Sequence, residues 1–174
     1  MSRRESRKLC FVAPTGCGKT TAAGLVAETC RAVNIKLAAP LIDLQHYIYR
    51  YIGVTLRGEQ DGELLQFLGS KIYKEAPTFM IDCFEAALAR VPADIDFVTN
   101  DDCRPHHYEG LRRLGFMFVR VAGPKRARLD HSPVDPSHPV EPQTDAVPVA
   151  YTLANVGSMV EFRQRVFELV ETLK

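Results

Sequence analysis

The run Ala13-Pro14-Thr15-Gly16-Cys17-Gly18-Lys19-Thr20-Thr21 constrains this chain more than any other feature, because its spacing is that of a phosphate-binding P-loop. An apolar stretch, residues 9–13, precedes it and suits a buried strand. Residues 20–32 follow with apolar side chains at helical spacing (Ala23, Val26, Ala27, with Val33 just beyond). Strand, glycine loop and helix are the context the motif needs. Gly16 and Gly18 let the backbone turn, so that the loop from Thr15 through Cys17 and on to Thr21 aims consecutive N–H groups at one anion, and the helix N-terminus adds partial positive charge. Lys19 is then expected on the β- and γ-phosphates of ATP and the Thr20 hydroxyl on Mg²⁺. The motif's usual first glycine is Ala13 here, which is tolerable where φ stays negative.

Composition narrows the partners. The 174 residues fit one domain with a sizeable core, and 46% hydrophobic with 25% charged residues is ordinary for a globular protein. A formal net charge of +1 gives no global field to recruit nucleic acid or a membrane surface. The basic cluster Arg3, Arg4, Arg7 and Lys8 reads first as a solvated tail. No apolar stretch approaches the roughly 20 residues of a membrane span and no signal-peptide pattern precedes the P-loop, so the expected setting is the cytoplasm. Five scattered cysteines (Cys10, Cys17, Cys30, Cys83, Cys103) fit a reducing compartment rather than a disulfide framework. Cys17 reads as a small filler within the loop. His106-His107, with His131 and His138, lack a third well-spaced ligand for a metal site.

Along the chain, strands and helices alternate. Residues 35–39 read as a second strand closed by Pro40, residues 41–51 as a helix, residues 63–73 as another, and a third opens at Pro77 and ends near Pro92. Residues 96–99 read as a strand, 107–114 as a helix, 116–121 as the clearest strand, 147–153 as a last strand and 158–173 as an amphipathic closing helix. That rhythm predicts an α/β fold, a parallel sheet with helices on both faces. Residues 122–146 break it, with five prolines and the cations Lys125, Arg126 and Arg128. A loop of that length in a compact domain suggests a lid, here one able to clamp phosphates.

The P-loop alone resembles the first motif of helicase motors, but those use two such domains and an acidic box that is missing here. More specific pieces follow in order. Ala38-Ala39-Pro40-Leu41 resembles the "Ala-x-Pro-Leu" of the phage-type deoxynucleoside monophosphate kinases, and Leu64-Leu65-Gln66-Phe67-Leu68-Gly69-Ser70 their "Leu-Gln-x-Leu-Gly-Thr" helix. Val98-Thr99-Asn100-Asp101-Asp102-Cys103-Arg104 with Glu109 is similar to the family's "Asp-Val-Arg-Phe-x-Asn-Glu", and His138-Pro139-Val140-Glu141 to its "His-x-Ser-Glu". Asn155-Val156-Gly157-Ser158 resembles the "Asn-x-Gly-Ser" shared with dephospho-coenzyme A kinases, where it lies by the adenine of ATP. Together the pieces span nearly the whole chain.

The resemblance implies one P-loop kinase domain over residues 1–174, with acceptor-binding helices at about 41–91, a lid at about 122–146 and a nucleotide as acceptor. It implies Asn155 and Gly157 beside ATP, Asp102 in the metal's water shell and Arg104 on the acceptor phosphate. Arg126 and Arg128 close over the transferring group, while Gln66, Lys74 and Asp43 line the acceptor pocket. Departures surround that pocket: Lys74 stands where the family has arginine, Asp61-Gly62 where it has a basic residue, and His106-His107 displace its asparagine. A homodimer is left open. Three rivals remain at this stage: a kinase acting on a hydroxyl with Asp43 as base, a kinase acting on a modified base within DNA, and a non-catalytic nucleotide-binding regulator.

Overall fold

The computed structural model describes residues 5–58, 60–124 and 146–174. Arg3 and Arg4 fall outside the described residues. So does most of the expected lid, including Lys125, Arg126, Arg128, His131, His138 and Glu141.

Five strands, β1 (Arg7–Val12), β2 (Ala32–Asn34), β3 (Phe97–Asn100), β4 (Met117–Ala122) and β5 (Tyr151–Ala154), pair in the order β2-β3-β1-β4-β5. Every pairing is parallel. A central strand in such a sheet is buried on both faces, and β1 obeys the alternation of side chains with period two. Leu9 and Phe11 pack on one face with Phe97, Val119 and Val121, under α1 (Lys19–Thr29) and α6 (Met159–Leu173). Cys10 and Val12 pack on the other with Val98 and Phe118, where α4 (Phe79–Leu88) and α5 (Tyr108–Arg113) contribute Phe84 and Leu111. Two helices, α2 (Ala39–Tyr51) and α3 (Gly62–Glu75), complete the second side and wall the carboxyl edge of the sheet.

Helix ends follow local chemistry. Ser158 and Glu161 form a reciprocal capping box that starts α6, whose buried residues Phe162, Val166, Leu169, Val170 and Leu173 trace one stripe. Asp61 caps α3 by accepting from the Leu64 N–H at 3.0 Å, and it also accepts from the Tyr49 hydroxyl at 2.7 Å. The aspartate that stands where the resembled family has a cation is therefore a helix cap.

Three expected boundaries moved. The second strand is Ala32–Asn34 rather than residues 35–39, so Val33 belongs to β2 and not to the preceding helix. Pro40 stands in the first turn of α2, where its missing N–H costs nothing, so it opens a helix instead of closing a strand. The last strand begins at Tyr151, although Val147 is buried in the core and the Ala150 N–H donates to the Phe118 carbonyl at 2.9 Å.

Candidate active site

The P-loop leaves β1 at its carboxyl end and enters α1, as the motif requires. Gly16 and Gly18 have φ of 84° and 100°, in the left-handed region that favours glycine. Among the described residues no other type has positive φ, so Ala13 keeps the negative φ that lets it replace glycine. Lys19 lies back along the loop, its Nζ donating to the Ala13 carbonyl at 2.7 Å and the Pro14 carbonyl at 3.1 Å. Cys17 turns its side chain into the core beneath α1 and α6.

A cleft of about 740 Å³ opens above the sheet edge. Thr15, Gly16, Gly18, Lys19, Thr20 and Thr21 line its donor end. Gln66, Tyr73, Arg104, His106 and His107 line the rest, together with Leu41 and Met80. The structure thus brings the P-loop, Gln66, Asp102, Arg104 and Asn155 to one cavity. It does not bring Asp43 or Lys74 there: both are exposed, on α2 and α3, and neither lines the cleft. On α2 it is Leu41 and Ile42 that face inward, which turns Asp43 outward by helical geometry.

The two neighbouring aspartates at the end of β3 have different tasks. Asp102, expected in the metal's water shell, spends both oxygens on backbone: the Leu37 N–H donates to Oδ1 and the Ala38 N–H to Oδ2, each at 2.9 Å. The Asn100 amide adds a third bond at 2.6 Å. Asp102 is in effect the cap of α2, supplied from across the sheet because Ala38 has no capping side chain. Burial pushes its carboxyl up, against the pull of those donors. Asp101 is the carboxylate beside the P-loop. Burial alone would raise it, but bonds from Lys36, Asn34 and the Thr20 hydroxyl hold it below the usual carboxylate range. Lys36 reaches it at 2.6 Å and the Asn34 amide at 2.9 Å. Sequence reading missed Asp101 because adjacent residues leaving a strand give no sign of which one faces the loop.

The Thr20–Asp101 pair fits Mg²⁺, a hard cation that takes one or two protein oxygens and draws its other ligands from phosphate and water. Among the described residues no group of three or more His, Cys, Asp or Glu is arranged to hold a metal ion by itself.

Asn155, expected beside ATP, lines the cleft and braces the P-loop. Its Nδ2 donates to the Cys17 carbonyl at 2.9 Å, in a buried bond, and its N–H donates to the Ala122 carbonyl at 2.6 Å. A Cβ on Gly18 would collide with that same Nδ2, so the loop glycine and Asn155 fit only as a pair. Gly157 does not line the cleft; with φ of 85° it makes the turn into the capping box of α6.

Among the described residues no helix is long and apolar enough to cross a membrane. No protein-family model matches the chain, and no curated protein matches it. Solved structures do. The chain is similar to a shikimate kinase from Acinetobacter baumannii in complex with shikimate, with TM-score 0.52 and 17% identity over 97% of this chain and 95% of that one. It is similar to TT1252 from Thermus thermophilus, with TM-score 0.55 and 18% identity over 98% of both chains. At such identities the likeness is one of architecture, and it agrees with the parallel sheet, the strand order and the loop: the chain has the P-loop kinase fold.

Proposed function

We propose that this protein transfers the γ-phosphoryl group of ATP to a nucleoside or deoxynucleoside monophosphate, a modified one included. The observation that carries the reading is a cleft of about 740 Å³ lined both by the P-loop and by Arg104 and Gln66. A phosphate oxygen is already a nucleophile near neutral pH, so such a reaction needs alignment, exclusion of water and charge neutralisation rather than a strong base. The rival hydroxyl kinase loses its candidate base, because Asp43 is exposed and outside the cleft.

In this reading the loop amides grip the donor phosphates. Lys19 leaves the Ala13 and Pro14 carbonyls for the β- and γ-oxygens. Thr20 and Asp101 hold Mg²⁺, which when bound offsets the charge of the phosphate oxygens. Arg104 grips the acceptor phosphate with its planar fork, and Gln66 meets the acceptor beyond it. Arg126 and Arg128, outside the described residues, close over the transferring group.

Two experiments test the assignment. A panel of nucleoside monophosphates and free nucleosides with ATP, scored for ADP release, is expected to show turnover with at least one monophosphate and none with the free nucleosides. Equal turnover of a plain alcohol would replace this reading with the hydroxyl kinase. In the same assay Arg104→Lys is expected to raise acceptor KM by about tenfold or more and leave ATP KM unchanged, since a point charge cannot reproduce the bidentate grip.

For the lid, Arg126→Ala and Arg128→Ala are each expected to lower kcat by roughly 10²–10³ with little change in ATP KM, the effect of removing one preorganised donor that acts in the closed state. A change confined to KM would make the segment a binding loop.

A further inference from the structure

One group of side chains in the cleft is not used by phosphoryl transfer. Tyr73 of α3 packs against His106 with ring centroids 4.4 Å apart and planes tilted by 46°, and His106 meets His107 edge to face at 4.0 Å. All three rings line the cleft, and both histidines lie in the turn that begins at Arg104. Tyr73 is 44% exposed, so an aromatic face is open to a ligand. His107 is 7% exposed, and its Nδ1 is buried with no hydrogen-bond partner.

That orphan nitrogen fixes the tautomer. A proton on Nδ1 would leave a buried N–H donor without an acceptor, which costs more than an idle lone pair. The proton therefore belongs on Nε2, on a ring whose residue lines the cleft. Burial, with the neighbouring His106 and the charge of Arg104, pushes His107 down to about 3, and burial with Arg104 lowers His106 too. Both imidazoles are neutral near pH 7, so they add no charge to compete with Arg104 for a phosphate. What they offer is flat apolar surface and one directed N–H.

We propose that the Tyr73–His106–His107 cluster is the element that recognises the heterocyclic base of the acceptor, stacking on it while His107 Nε2 donates a hydrogen bond to a carbonyl oxygen or ring nitrogen on its edge. The proposal rests on the monophosphate kinase reading and deepens it: a phosphate held by Arg104 carries its base one sugar away, towards these rings. A base-sized π-face is what an open aromatic stack accepts, and a lone neutral donor discriminates between bases that place an acceptor there and bases that place an amine.

The test is calorimetric binding, without ATP, of monophosphates bearing each common base and of ribose 5-phosphate, which has the phosphate and sugar alone. The wild type is expected to bind its preferred monophosphate roughly tenfold or more tightly than ribose 5-phosphate. His107→Phe, which keeps a ring and removes the donor, is expected to cut the preference between bases by about fivefold or more, with His107→Gln restoring part of it. Tyr73→Ala is expected to weaken every base-bearing acceptor and leave ribose 5-phosphate alone. In turnover the losses fall on acceptor KM more than on kcat, with ATP affinity as the check on folding. Should His107→Phe fail to fold, the exposed Tyr73 position carries the test by itself. Equal wild-type affinity for ribose 5-phosphate and every monophosphate overturns the proposal, as does base preference unchanged in the variants, while phosphoryl transfer to monophosphates leaves the kinase reading standing. A wild type that transfers to no monophosphate overturns that reading, and the proposal falls with it.

Discussion

Lys19→Ala is expected to lower ATP-dependent turnover by at least about 10²–10³, into the background of the assay, with the protein still folded. In the described structure Lys19 Nζ is held by the Ala13 and Pro14 carbonyls, 2.7 and 3.1 Å away. Those contacts are within the loop itself and lie at the cleft surface, so their loss is expected to cost little stability. The large effect is on catalysis, because a charge-assisted contact to the transferring phosphates is lost. Turnover near the wild-type level in a folded variant would remove the P-loop from the chemistry. The same variant should keep its affinity for the acceptor, since Arg104 and Gln66, which also line the cleft, are unchanged.

The second large effect separates two adjacent aspartates. Asp102→Ala is expected to destabilise the protein by about 3 kcal/mol or more, because the N–H groups of Leu37 and Ala38 and the Asn100 amide each lose an acceptor, at about 1–3 kcal/mol for each donor left unpaired. Thermal or urea unfolding measures it directly. Asp101→Asn is expected to behave differently: one oxygen is left to accept from Asn34 or Lys36, so stability falls less, while turnover falls and the Mg²⁺ concentration needed for half-maximal rate rises. If Asp102→Ala kept wild-type stability and lost the metal dependence, the two roles would have to be exchanged.

That exchange is also where reading the sequence met its limit. The loop, the alternation of strands and helices and the parallel sheet were legible, because each depends on local pattern: glycines where φ is positive, apolar runs where both faces are covered, an amphipathic stripe along α6. The acidic pair was not, since Asp101 and Asp102 are alike in type and one residue apart, and only the direction of the chain leaving β3 decides which faces Thr20 and which faces α2. Pro40 misled for a related reason: a proline closes a strand or opens a helix equally well, and the neighbouring Asp102 cap that favours the helix is sixty-odd residues away. Asn155 was legible as a motif and not as a contact, because its partner, the Cys17 carbonyl, is a backbone atom without a sequence signature. The pocket residues carried over from the family fared according to helical phase, with Gln66 facing the cleft and Asp43 and Lys74 turned from it. His106-His107 stood out only as a departure; their ring contacts with Tyr73 depend on how α3 docks.

The bond between Asn155 and the P-loop sets an order of events in biosynthesis. It joins residues 138 positions apart, so the turn that meets phosphate is made early by the ribosome and braced late. Until residue 155 has emerged and β5 has docked beside β4, the Cys17 carbonyl lacks the Asn155 donor and Gly18 lacks the side chain it packs against. A nascent chain carrying all of α1 and β3 would then hold a complete glycine loop and bind nucleotide poorly. Contacts of such separation also form late in refolding, after the loop-closure entropy has been met. If the loop binds ATP as proposed, nucleotide affinity should therefore arrive at the end of folding rather than grow with it.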